Sequence, residues 1–217
     1  MSTVDYTVYL VTDAPERYAN GLLKGVEDAL AGGVSIVQYR ATTGSRRYQY
    51  ETALALHKLA SSHRVPFIIN DQVDLALAVD ADGVHVGQND LPADVVRQLI
   101  GPGKLLGLSI TTPEQLDSIP PKTVDYLGLG PIFPTISKDN AAPAIGLEQL
   151  AWMTAHTTLP TVAIGGISLE NAHAVFAAGV AGLAVVSALS LSPNPADSAK
   201  ALRSAKSKGG SPLRLPS

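Results

Sequence analysis

Between Tyr6 and Lys206 the apolar positions fall into a two-part pattern that repeats. A short run of β-branched and aliphatic residues comes first. A stretch with apolar residues three and four apart follows, as on one face of a helix. The first strand-like run is Tyr6–Thr12, and the helical stretch after it is Tyr18–Ala31, closed by Gly32-Gly33, a common helix stop. Val34–Arg40 is the second strand, Thr42–Arg47 a polar loop and Tyr48–His63 the second helix. Pro66–Asn70 and Gly83–Gly87 are strands three and four, separated by a short helix over Val73–Val79. A helix over Pro92–Ile100 then stops at Gly101-Pro102-Gly103.

The second half keeps the rhythm. Lys104–Ser109, Val124–Gly130, Thr161–Ile164 and Leu183–Ser187 read as strands five to eight. Helices are expected over Pro113–Ile119, Gly146–His156, Leu169–Ala178 and Asp197–Lys206. A long loop, Pro131–Ile145, interrupts the compact spacing, and Gly209–Ser217 reads as a disordered tail. Eight strand–helix units with short connections and no break in composition argue for a parallel sheet. Eight repeats argue for its closure into a single-domain (β/α)₈ TIM barrel over residues 1–208. The alternative is an open doubly wound sheet, but no G-x-G-x-x-G follows the first strand.

Composition narrows the function. Nearly half of the 217 residues are apolar and only 16% are charged, enough for a sizeable core. The net charge of −3 and the lack of a basic stripe argue against a nucleic-acid partner. Without cysteine, disulfides, thiolate metal sites and cysteine nucleophiles are excluded. The start, MSTVDYTVYLVTD, is not patterned as a signal peptide, and no apolar run is long enough for a membrane span. A soluble cytoplasmic protein is expected.

In such a barrel the active site lies at the C-terminal ends of the strands, so each strand end is a candidate. Strands three and four end near Asp71 and Asp90. As neighbours in a parallel sheet, they would bring two carboxylates within reach of one cation. Two carboxylates with few other protein ligands suit Mg²⁺, which fills its octahedron with water and phosphate oxygens. The competing roles are a helix cap for Asp71 and a turn residue for Asp90. Gln38 and Arg40 end strand two and share a face; a guanidinium at a barrel mouth suits a phosphate, or else a surface ion pair. Ser109 ends strand five, where it or a neighbouring hydroxyl caps the next helix or serves the site. His85, flanked by valines, reads as a packed barrel histidine. The loop after strand six carries Thr135, Ser137 and Lys138. Gly165-Gly166 and Val186-Ser187 end strands seven and eight, where such barrels often hold a phosphate on backbone N–H groups; tight turns are the other use for those glycines. No serine–histidine–acid arrangement is visible.

The segments VQYR, PFIINDQVDLALAVDADGVHVGQNDLP, LLGLS, DYLGLGPIFPTISK, AIGGIS and GLAVVSAL follow one another in the order and spacing of the thiamine phosphate synthase family, which the chain resembles from about Tyr6 to about Lys206. The resemblance implies a (β/α)₈ barrel. It implies a Mg²⁺-dependent transferase that joins two phosphorylated small molecules, a pyrimidine methyl diphosphate and a thiazole phosphate, and releases pyrophosphate. By matching positions, Asp71 and Asp90 would bind Mg²⁺. Gln38, Arg40, Thr42, Asn70 and Lys138 would hold the diphosphate, with Ser109 near the pyrimidine, and Arg40, Lys138 and Ser109 would be the catalytic residues. Thr135 and Ser137 would contact the thiazole, and Gly166, Val186 and Ser187 its phosphate. The family usually reads Q-x-R-x-K, whereas here the last position is Thr42. We expect Arg46 or Arg47 to supply the missing charge. Two other roles remain open at this point: a thiazole tautomerase, which would be expected to carry a histidine after strand five where this chain has Ser109-Ile110-Thr111-Thr112, and a non-catalytic barrel that binds thiazole phosphate.

Overall fold

A computed structural model describes residues 4–135 and 143–208. The expected tail over 209–217 lies outside the described residues, as do Ser137 and Lys138. The eight strands are β1 (Val8–Val11), β2 (Ile36–Tyr39), β3 (Phe67–Asn70), β4 (Gly83–Val86), β5 (Leu105–Ile110), β6 (Tyr126–Leu129), β7 (Thr161–Ile164) and β8 (Gly182–Val185). Every consecutive pair is parallel, and β8 pairs with β1 through Tyr9 opposite Ala184, which closes the barrel. The closure rules out the open doubly wound sheet.

Side chains alternate along each strand, so each strand feeds two cores. Val8, Leu10, Val37, Ile69, Leu106 and Leu127 join helix residues such as Val26, Leu56, Val96, Leu150 and Leu202 in one large apolar cluster, the layer between barrel and helices. Tyr9, Val11, Ile36, Ile68, Tyr126, Val162 and Ala184 form the smaller cluster inside the barrel. Glycines at 83, 107 and 182 occupy strand positions where an added Cβ would strike a neighbour, and at Gly128 it would be a tight fit. Bulky residues from other strands fill the space they leave.

The helices on the outside are α1 (Leu22–Ala31), α2 (Arg46–Ser62), α3 (Val73–Ala78), α4 (Ala93–Ile100), α5 (Pro113–Asp117), α6 (Gly146–Ala155), α7 (Ala172–Ala177), α8 (Ser187–Ser190) and α9 (Pro195–Lys208). Three departures from the expected elements have local causes. Helix α1 begins at Leu22, not at Tyr18, because Gly21 sits at φ 81° and breaks the turn. Helix α2 begins two residues early, since Ser45 accepts a hydrogen bond from the Tyr48 N–H and caps it. Arg46 and Arg47 therefore belong to a helical turn and not to a loop. The four-residue α8 was not expected at all; its Ser190 hydroxyl donates to Asp13 Oδ2 at 2.9 Å, which ties it to the loop after β1.

The N-terminal ends of the strands are held by charged clamps. Arg97 on α4 donates to the carbonyls of Thr123, Gly101 and Lys104 and to Asp125, while Asp125 also accepts the Leu106 N–H at 2.7 Å. Asp82 likewise accepts the Phe67 N–H at 2.8 Å. These groups serve stability at the face opposite to the mouth.

Candidate functional site

The C-terminal mouth of the barrel opens into a cavity of about 620 Å³. Gln38, Arg40, Asn70, Asp71, Asp90, Ser109, Thr135, Gly166, Val186 and Ser187 all line it. Thus ten of the thirteen residues nominated from the sequence come together. Thr42 does not line the cavity; it is an exposed loop residue. Ser137 and Lys138 fall outside the described residues.

Asp71 and Asp90 reach the cavity by different means. Strands β3 and β4 pair with Asn70 opposite His85, and the Asp71 N–H continues the ladder by donating to the His85 carbonyl at 2.9 Å. Asp71 adopts φ 59°, a left-handed conformation that aspartate tolerates better than most residues. The cap position of α3 falls on Gln72, so Asp71 is not the helix cap. Asp90 does close a turn, accepting the Gly87 N–H on Oδ2 at 2.7 Å. Its carboxylate therefore combines the turn role with a place at the cavity wall. Among the described residues no group of three or more His, Asp or Glu is placed to hold a metal ion. The donor set is two hard carboxylates in the loops that follow adjacent strands, which fits a cation that takes its remaining ligands from water and phosphate.

Arg40 follows β2, its N–H donating to Thr12 Oγ1 at 3.0 Å. The charge expected from Arg46 or Arg47 is not in the cavity wall. The Arg46 guanidinium donates instead to Gln72 and to Asp74, and that bond holds the Asp74 carboxyl below the usual carboxylate range. The hydroxyl that caps α5 is Thr112, which forms a reciprocal capping box with Gln115. Ser109 is thereby left to the site, where its Oγ lies 2.9 Å from His85 Nε2.

On the far side, Gly165 and Gly166 follow β7 at φ 99° and 65°. A Cβ at Gly166 would come within 2.7 Å of Phe133 Cβ and of the Pro134 carbonyl. The Ile132 and Phe133 N–H groups donate to the carbonyls of Ile164 and Gly165, and Asn171 Nδ2 donates to the Gly166 carbonyl at 2.9 Å. These bonds fix the glycine turn beside the start of α8, where Val186 and Ser187 line the cavity.

Sequence reasoning missed the cavity floor. Tyr9, His85 and Tyr126 line it from below. The two tyrosine hydroxyls lie 2.7 Å apart, Tyr126 Oη is 3.1 Å from His85 Nδ1, and Gln38 Nε2 donates to Tyr9 Oη at 2.7 Å. Burial pushes the phenols of Tyr9 and Tyr126 up, so both stay protonated near neutral pH. His85 is packed, as expected, but its two ring nitrogens meet polar partners and not apolar ones. The missed signal was the pair of glycines, Gly107 and Gly128, beside these side chains.

Comparison with known proteins bears on the whole barrel. The family model described as thiamine monophosphate synthase matches residues 8–189. Over 195 residues the chain is 53% identical to the thiamine-phosphate synthase of Laribacter hongkongensis (strain HLHK9), an alignment covering 89% of this chain and 92% of that one. It is 48% identical over 202 residues to the thiamine-phosphate synthase of Vibrio parahaemolyticus, covering 92% and 97%. The solved thiamine phosphate pyrophosphorylase from Pyrococcus furiosus superposes with a TM-score of 0.85 at 34% identity, covering 95% of this chain and 98% of that one.

Proposed function

The chain belongs to the thiamine monophosphate synthase family, and from that premise we propose how its cavity carries out the reaction. The reaction condenses 4-amino-2-methyl-5-(diphosphooxymethyl)pyrimidine with 4-methyl-5-(2-phosphooxyethyl)thiazole, giving thiamine phosphate and pyrophosphate. The observation that carries the assignment is the meeting, in one cavity, of Arg40, Asp71 and Asp90 on one side with the glycine turn and Val186-Ser187 on the other. One side suits a diphosphate and the other a monophosphate, held apart by the space for two rings.

On this reading Gln38, Arg40 and Asn70 hold the pyrimidine diphosphate, with Lys138 joining them and Ser109 beside the pyrimidine. Thr135 and Ser137 contact the thiazole. Gly166, Val186 and Ser187 take its phosphate on backbone N–H groups and the serine hydroxyl. Asp71 and Asp90 would hold Mg²⁺. When bound, that ion would supply charge neutralisation for the departing diphosphate oxygens.

The residues do the rest. The bond from the pyrimidine methylene carbon to the diphosphate oxygen breaks, and the electron pair leaves with pyrophosphate. Arg40 and Lys138 meet the charge that grows on those oxygens, as preorganised donors do well. The amino-pyrimidine donates electron density to the emptying carbon, which favours a dissociative, carbocation-like path. The thiazole nitrogen then supplies the electron pair for the new carbon–nitrogen bond. Nothing has to be deprotonated first, so the site needs no general base. Fixing the thiazole by its phosphate supplies proximity. Phosphorylated substrates do not cross membranes unaided, which supports a cytoplasmic location. Among the described residues no helix is long and apolar enough to cross a membrane.

The test is an assay with both substrates, with and without Mg²⁺. Pyrophosphate released only when both substrates and the ion are present supports the reading. A tautomerase or a non-catalytic binding barrel would release none.

A further inference from the structure

Five side chains cross the barrel interior in one hydrogen-bonded chain, from Gln38 on β2 through Tyr9 on β1, Tyr126 on β6 and His85 on β4 to Ser109 on β5. Its four links measure 2.7, 2.7, 3.1 and 2.9 Å. The three inner members are buried: Tyr126 is 0%, Tyr9 1% and His85 8% exposed. Room for them is built in. Gly107 lies opposite both His85 and Tyr126 in the sheet register, and a Cβ there would collide with both side chains. At Gly128 a Cβ would sit 3.0 Å from His85 Cε1.

Such a chain has a direction. Each phenol has one hydrogen to give, and a neutral imidazole has one N–H. Gln38 donates to Tyr9, so the Tyr9 hydrogen goes to Tyr126. The Tyr126 hydrogen then goes to His85 Nδ1, which puts the imidazole hydrogen on Nε2, pointing at Ser109 Oγ. Reversing the Tyr9–Tyr126 or the Tyr126–His85 link alone would leave a buried hydroxyl hydrogen without an acceptor in the chain, an unsatisfied donor that buried sites avoid. The whole chain therefore runs one way, and the Ser109 hydroxyl hydrogen is left for the cavity.

We infer that Tyr9, Tyr126 and His85 are positioning residues that hold the Ser109 hydroxyl as a hydrogen-bond donor into the cavity, with Gln38 setting the direction from the other end. The inference rests on the reading of the cavity as the place where the pyrimidine diphosphate binds, and it adds a cross-barrel device to that reading. Two groups on opposite walls of the mouth are coupled through the floor. Ser109 is presented as a donor to a ring nitrogen or a phosphate oxygen, while Gln38 keeps its carbonyl for an amino group.

The first test needs no substrate. Protein labelled with ¹⁵N in its imidazoles, with the His85 signals assigned by their loss in His85→Gln, is expected to show His85 as the neutral Nε2–H form. A hydrogen on Nδ1 would overturn the inference. The second test is kinetic. Tyr126→Phe is expected to lower kcat for pyrophosphate release by about tenfold or more, the scale of losing an outer partner of a site residue. The KM for the thiazole phosphate should stay within about twofold, since that substrate is held elsewhere. Tyr6→Phe is the control. Tyr6 packs on the Tyr126 ring at 5.2 Å between centroids but is not a member of the chain, so its kcat should match the parent's. Should Tyr126→Phe fail to fold, Tyr9→Phe breaks the chain one link earlier and is read in the same way. Phenylalanine variants that turn over like Tyr6→Phe would refute the positioning role. A parent protein that releases no pyrophosphate would refute the proposed function, and the tautomer measurement would still decide the chain.

Discussion

A single methyl group at position 107 tests the packing on which the cavity floor depends. Gly107 lies within β5 with ordinary extended backbone, so alanine meets no conformational strain there. Taken alone, replacing glycine within a strand would stabilise by roughly 0.5–1 kcal/mol. The new Cβ, however, would lie under 3.0 Å from Tyr126 Cζ, Tyr126 Oη and His85 Nδ1. These atoms cannot retreat cheaply, because both rings are buried and Tyr126 Oη is bonded to Tyr9. Overpacking costs about 1–3 kcal/mol, and parting His85 from Tyr126 costs about 1–3 kcal/mol more. The net expectation is a loss of about 1–5 kcal/mol, or roughly 2–20 °C in Tm for a chain of this size. Gly128→Ala is the internal comparison. Its Cβ would stand 3.0 Å from His85 Cε1 and 3.3 Å from Nε2, distances that a shift of a few tenths of an ångström relieves, so its cost should be within about 1 kcal/mol. Urea unfolding followed by the fluorescence of Trp152, the only tryptophan, gives both values. A Gly107→Ala protein within about 0.5 kcal/mol of the parent, or a Gly128→Ala protein less stable than it, would show that these glycines do not make room for the His85–Tyr126 pair.

Three further outcomes are expected. Asp71→Ala and Asp90→Ala should each cut turnover at least about a hundredfold; Asp90→Asn, which can still accept the Gly87 N–H, separates charge from turn, and near-normal turnover in all three would refute the metal assignment. Thr42→Lys should lower the KM for the diphosphate by about tenfold, about 1.4 kcal/mol, whereas alanine at both Arg46 and Arg47 should leave it within about threefold; the reverse ranking would mean that an arginine does reach the ligand. Asp5 has its pKa lowered to about 2: burial raises it, but hydrogen bonds from Thr7 and Arg203 outweigh that. A depressed carboxyl pKa adds stability above the unfolded value and loses it as pH falls through the folded one, so Asp5→Asn should flatten the stability loss between about pH 4 and 2. The size is about 1 kcal/mol or less, because the Asp5–Arg203 pair is nearly half exposed, and an unchanged acid limb in urea titrations would contradict it.

The barrel was legible because its two periods are written locally. Runs such as VSIVQYR and FIIN bury both faces and end at polar residues, and the helical stretches between them are amphipathic. The boundaries that were misread depend on side chains that complete turns. Tyr18 continues the apolar spacing of α1, yet it belongs to the preceding loop: its ring packs against Gly25, and its hydroxyl accepts the Asp13 N–H at 3.2 Å. Similarly, α7 was expected from Leu169 but starts at Ala172, because the Asn171 side chain accepts the Ser168 N–H and holds a turn ahead of it. Local periodicity does not distinguish a residue that extends a helix from one that folds back onto it.

The rim and the floor of the cavity differ in legibility for a geometric reason. A polar residue at the C-terminal end of a strand is conspicuous in one dimension, and Gln38, Arg40, Asp71, Asp90 and Ser109, all in the mouth, are legible for that reason. The floor is set by pairs that only closure brings together: Tyr9 and Tyr126 are 117 residues apart in the chain and share a hydrogen bond. Volume connects the two views. The interior of an eight-stranded barrel must be filled by side chains, so inward glycines on β5 and β6 require large residues from other strands. Tyrosine and histidine meet that need and carry polar tips into a space where each tip must find a partner. Once Gly107 and Gly128 are read as inward, a large polar neighbour beside them is the expected answer, and its partners have to come from across the barrel. The hydrogen-bonded chain under Ser109 is thus a consequence of how the barrel is filled, and a change in that filling should be felt at the mouth even though no rim residue has been altered.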